Sequence, residues 1–209
     1  MKENIFLPAD ILLPKDADMH KWAVIACDQF TSDQAYWDRV RATAGDAPST
    51  INLILPEAEL GTEKEAEHTA LINRTMEKYM AEGVFETYAD SFVYVERTLE
   101  NGTIRKGLIG KLDLDAYDYN VGSTSAVRAT EKTVVERIPP RVNIRKDAPL
   151  ELPHVLLLCD DPQQIIFSSI DTQQLPVIYD FDLMQGGGHI TGWLLQGQNA
   201  HQLRQAISQ

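Results

Sequence analysis

The chain has 209 residues, enough to bury a substantial core, with 44% hydrophobic and 24% charged residues, as in an ordinary globular protein. Its net charge of −12 argues against general nucleic-acid binding, which needs an extended basic surface. The two cysteines, Cys27 and Cys159, are far apart, which excludes a disulfide framework or a Cys-x-x-Cys metal site and fits a reducing cytoplasm. Neither a signal peptide nor an apolar run of membrane-spanning length is evident, so no membrane partner is expected.

In chain order, Phe6 to Pro14 is an apolar segment punctuated by prolines and reads as an extended arm. Trp22 to Cys27 is a short, nearly continuous apolar run that predicts a buried strand, with Asp28 just past its end. Thr31 and Ser32 then offer caps for a helix running to about Ala44, and Ile51 to Leu55 predicts a second buried strand closed by Pro56. Thr62-Glu-Lys-Glu65 is a capping box opening a helix, with Leu71, Ile72, Met76, Tyr79 and Met80 toward the core and Gly83 as its stop. Those side chains should pack on a sheet made from the segments around Val24, Leu53, Val93 and Leu157. Phe92 to Leu99 and Ile104 to Leu114 predict a hairpin about Asn101-Gly102. His154 to Cys159 reads as another buried strand. Val177 to Asp182 and Ile190 to Leu195 read as paired strands joined through Gly186-Gly187-Gly188-His189, and a helix follows from Asn199.

Several residues could carry chemistry. Between Arg128 and Lys146 stand six of the 19 basic residues against only Glu131 and Glu136. Arginine presents a planar fork of donors, so this basic island in an acidic protein suits a small anion such as a carboxylate or phosphate. Equally, such arginines can tie a loop to neighbouring acidic residues. Thr130 is placed to cap a helix from Glu131 to about Ile138, ended by Pro139-Pro140, which leaves Arg128 and Arg141 on its flanks. Asp180 and Asp182 share one strand face and could share a divalent metal, but strand-edge charges do the same without function, and no metal ligands are assigned. The triple glycine could bring backbone amides near a phosphate, but it has neither a Walker Lys-Ser/Thr nor a strand-to-helix setting, which favours a plain hairpin loop.

Phe6 to Pro14, Trp22 to Gln29 with Tyr36-Trp37, Pro48 to Pro56, Arg128 to Glu131, Arg137 to Arg141 and Glu151 to His154 together resemble the domain of unknown function 1015 family. The resemblance covers nearly the whole chain. It implies a cytoplasmic protein about twice this length, with a second half bearing a Gly-Asp-Gly-Asn-His-Ser or Gly-His-His-Arg box similar to that of ParB and sulfiredoxin-like proteins, a free-serine kinase among them. This chain has no such box, so it reads as a truncated N-terminal half forming one domain over residues 1–209. The expected fold is α+β, a mixed sheet packed with helices, with an apolar patch or open strand edge near residues 190–209. The expected function is phosphoryl transfer or nucleotide-linked chemistry on a small anionic metabolite of the serine or phosphoserine class, with a nucleotide and Mg as the cofactor. Arg128, Arg137, Arg141, Thr130 and His154 would contact the ligand, and Glu131 and Asp28 would act as acid–base groups. The competing reading is a non-catalytic ligand-binding or regulatory protein using the same arginines.

Overall fold

The computed structural model describes residues 5–25, 30, 33–56, 61–63, 65–118, 120–129, 134–152 and 155–208, with the backbone only of Arg137. In chain order the strands are β1 (Phe6–Leu7), β2 (Ala9–Pro14), β3 (Phe85–Thr98), β4 (Ile104–Ile109), β5 (Lys111–Leu112), β6 (Val177–Asp182) and β7 (His189–Leu195). The α-helices are α1 (Met19–Trp22), α2 (Gln34–Ala44), α3 (Glu65–Ala81), α4 (Ile138–Arg145), α5 (Ile165–Ser168) and α6 (Gly197–Ile207). The fold is α+β, as expected, and every ladder between these strands is antiparallel.

Strand β3 organises the sheet. Its first half pairs with β2 and its second half lies between β4 and β7, with β6 beyond β7. The change of partners coincides with a bulge, where Ala89 and Asp90 oppose the single residue Asp10. Asp90 takes a φ of 50° there, and its amide donates to the Asp10 carboxylate at 3.1 Å. A bulge of this kind bends the strand and increases its twist. Past the bend Phe92, Val93 and Tyr94 are buried, which is why this stretch is apolar without alternation. Phe92, Tyr94 and Leu195 share one core with Ala200 and Leu203 of α6, while Phe167 of α5 packs against it. The Asn101-Gly102 turn closes the β3–β4 hairpin as predicted.

Two other cores flank the sheet. Tyr36, Trp37, Val40 and Ala44 of α2 pack with Ile51 and Met184, and Trp22, Leu53, Ile72, Met76 and Tyr79 form the second. The α2 cap is Asp33, which accepts from the Tyr36 amide; the expected caps Thr31 and Ser32 lie outside the described residues. Helix α3 ends at Gly83 with φ 69°, as its sequence predicts, but Leu71 and Met80 are exposed. Its apolar stripe is only wide enough to cover Ile72, Met76 and Tyr79, and it meets α1, the turn at Leu53 and, of the expected sheet, only Phe85 at the start of β3.

Five further expectations are corrected. Trp22 ends a helical turn and Ala23 to Ile25 form no strand, because Asp18 caps that turn through the His20 amide. Residues Thr50–Leu53 form a 3-10 turn, capped by the Ser49 hydroxyl, while Thr50 donates to the Trp22 carbonyl at 2.7 Å. Ile51 and Leu53 are buried all the same, so the apolar run gave burial correctly and backbone type wrongly. Val155 to Cys159 has no regular structure, and Val155 to Leu158 are exposed, since no described strand runs beside them. Pro139-Pro140 sits in the first turn of α4 and opens that helix, where a missing N–H costs nothing, so Arg141 lies within a helix. Near the chain's end, Leu194, Leu195, Ala200, Leu203 and Ala206 are buried and β7 is paired on both sides, so among the described residues 190–208 β7 and α6 present no open strand edge and turn these apolar side chains inward, against the expected patch.

Candidate functional site

The most chemically loaded place among the described residues is the β6–β7 hairpin. Its antiparallel register sets Asp182 directly opposite His189 and Asp180 opposite Thr191. Alternation along each strand then puts all four side chains on one face. His189 Nδ1 lies 2.9 Å from Asp182 Oδ1, its Nε2 lies 2.5 Å from Asp180 Oδ1, and Thr191 donates to the same Asp180 oxygen at 3.4 Å. An imidazole with a carboxylate on each ring nitrogen is held in one orientation and favours its doubly protonated form. The hydrogen bond to Asp182, ahead of the opposing effect of desolvation and the further pull of Asp180, raises the His189 pKa above its ordinary value. The His20 ring adds a second imidazole nearby, 2.9 Å from the Asp182 carbonyl.

The connection between the strands shapes the space beside this group. Gln185 takes φ 59° and Gly188 φ 86°, so the chain doubles back tightly against the end of β3. An open cavity of about 320 Å³ results, bounded by Thr98, Glu100, Asp182, Gly186 and His189. Beyond Gly186 and Gly187 lies a second, of about 260 Å³, bounded by Arg97, Leu99, Glu100 and Asn101. The loop is pinned from below by Met184, which is fully buried under α2, and from the side by Arg39, whose Nε donates to Gln185 at 3.0 Å. Among the described residues no group of three or more His, Cys, Asp or Glu side chains is placed to hold a metal ion. With one oxygen of each strand carboxylate taken by the imidazole, the described residues gather too few free ligands here to hold the Mg of a nucleotide cofactor.

The raised pKa has a consequence for stability. A histidine raised in the folded state stabilises the fold fully below its unfolded value of about 6.5, and that contribution is lost as pH rises through the folded value. The side chains are 45%, 57% and 84% exposed for His189, Asp180 and Asp182, so solvent screens the pairs and the effect is small. The expected result is an imidazole titration midpoint above about 6.5 by NMR, which Asp182→Asn shifts downward. An unchanged midpoint in that variant would show that the carboxylate does not hold the ring.

The basic island is distributed differently from the sequence expectation. Arg128 and Arg141 are exposed, neither lines either cavity, and neither makes an ion pair among the described residues. Arg145, by contrast, is 3.0 Å from Glu151. Asp28, Thr130, Glu131 and His154 lie outside the described residues, as does the Arg137 side chain. Sequence reading had noted Asp180, Asp182, His189 and the triple glycine separately, and their register unites them. It missed Arg97 and Glu100, which carry no local motif and acquire their setting only from the strands beside them.

No curated protein and no solved structure matches this chain. No helix among the described residues is long and apolar enough to cross a membrane. The family model described as protein of unknown function (DUF1015) matches residues 7–209, essentially the whole chain, and the protein belongs to that family.

Proposed function

We propose that the protein binds a small polar metabolite in the cavity beside His189 and exchanges a proton with it there. The observation that carries this reading is an imidazole fixed between Asp180 and Asp182 at the wall of an open cavity of ligand size. Such a group holds a proton near neutral pH and can pass it to a ligand that displaces one carboxylate from the ring.

A narrower reading names the metabolite as anionic, of the serine or phosphoserine class, and the chemistry as phosphoryl transfer or a nucleotide-linked step in the cytoplasm. Its support is the family resemblance together with Arg128 and Arg141, exposed and without ion pairs among the described residues. In that reading Arg137, Thr130 and His154 join them around the ligand, with Glu131 and Asp28 as acid–base groups. The ParB and sulfiredoxin-like relationship belongs to this narrower reading as well. Simple ligand binding by the same arginines is its alternative.

A thermal-shift screen of metabolites and nucleotides against the wild-type chain, His189→Asn and an Arg128→Gln/Arg141→Gln double variant separates these readings. A genuine ligand at 100 times its dissociation constant adds roughly 2.7 kcal/mol of stability. A hit that disappears with His189→Asn supports the cavity reading, whereas one indifferent to it rejects that reading. Loss confined to the arginine double variant moves the ligand to the basic island. Chemical conversion of the hit, followed by NMR, decides between enzyme and binding protein.

A further inference from the structure

Across the glycine loop from His189 the charge changes sign. Arg97 lies half-buried on β3, and its Nε donates to the Gly187 carbonyl at 2.9 Å. That is its one hydrogen bond among the described residues, so most of the five guanidinium donors are unused. Directly opposite, on β4, stands Arg105. Like charges facing each other across a ladder destabilise it, and neither arginine makes an ion pair among the described residues. Glu100, the acidic group on this cavity's rim, is packed against Gly186 instead. Desolvation, reinforced by the charge on Arg105, lowers the Arg97 pKa, so the pair is electrostatically unfavourable as it stands.

Two guanidinium groups face each other across the ladder, with Arg97 at the wall of the open cavity, and neither is ion-paired with Glu100 or any other carboxylate among the described residues. The Arg fork matches the two oxygens of a phosphate or carboxylate, and an anion there relieves both the repulsion and the unused donors. We infer that Arg97 and Arg105 form a binding site for a small oxyanion, a phosphate or carboxylate group, at the end of the β3–β4 hairpin beside Gly186 and Gly187. Arg97 lines the neighbouring cavity and not the one beside His189, although the two share Glu100 and Gly186, and neither arginine belongs to the basic island at 128–146.

The test uses the full chain, with inorganic phosphate and malonate as probes against chloride at matched ionic strength, read by calorimetry and by melting temperature. At least one probe should bind saturably and raise the melting temperature above the chloride control. Arg97→Gln should weaken that probe about tenfold or more, the scale of a lost charge-assisted hydrogen bond. Because Arg97 is partly buried, the exposed Arg105→Gln is the second variant: it should weaken binding too, yet melt no lower than the wild type in chloride, since it removes a repulsion. A response to phosphate alone or to malonate alone supports the site and tells which anion it prefers. Three results would overturn the proposal: no response to either probe beyond chloride, unchanged affinity in both Arg97→Gln and Arg105→Gln, or a loss seen only in Arg128→Gln/Arg141→Gln.

Discussion

Trp37→Ala should cost about 3–5 kcal/mol, the usual range for removing a fully buried large aromatic side chain. Trp37 is 1% exposed on α2, with its ring centroid 5.0 Å from that of Tyr36 in an edge-on contact, and Tyr36 stacks in turn on Phe30 at 4.1 Å. Met184 belongs to the same cluster, so the cavity left by the indole lies directly beneath the loop that shapes both cavities. Amide exchange across Leu183 to His189 should therefore quicken more than exchange in β3. Trp37→Phe should be much milder, because the indole Nε1 is buried without a hydrogen-bond partner among the described residues and its removal offsets part of the lost packing. Denaturant unfolding of the two variants measures both effects. A loss below about 1 kcal/mol for Trp37→Ala would mean that this cluster is not what anchors the loop.

The second large effect is expected at Gly188. Its φ of 86° is a left-handed conformation, and a Cβ added there would press into the Thr98 carbonyl at the end of β3. A left-handed alanine costs about 1–2 kcal/mol and overpacking a further 1–3, so Gly188→Ala should destabilise by roughly 2–5 kcal/mol. The backbone must also move where His189 begins β7, opposite both Thr98 and Asp182. The imidazole should then leave its carboxylates and titrate nearer its ordinary value. Urea unfolding and the His189 NMR titration together check this. A variant of wild-type stability with an unchanged titration would show that the loop accommodates a side chain after all.

Wherever a residue's role is set by its near neighbours, this sequence determined it. The Asn101-Gly102 turn, the Gly83 stop, the extent of α2, the β6–β7 pairing and the terminal helix all rest on local backbone preferences and short-range apolar spacing. Tertiary structure alone decided which apolar runs became strands. Trp22 to Ile25, Ile51 to Leu55 and Val155 to Leu158 all read as buried strands, yet a capped helical turn, a 3-10 turn and an exposed irregular segment resulted. A run of apolar residues specifies the wish to be buried, but a strand needs a neighbour to pair with, and that neighbour is distant in sequence. The same holds for the site. Asp180 and Asp182, His189, Arg97 and Arg105 come from four strands and Glu100 from the β3–β4 turn, and only the β3–β4, β3–β7 and β6–β7 registers bring them to one end of the sheet.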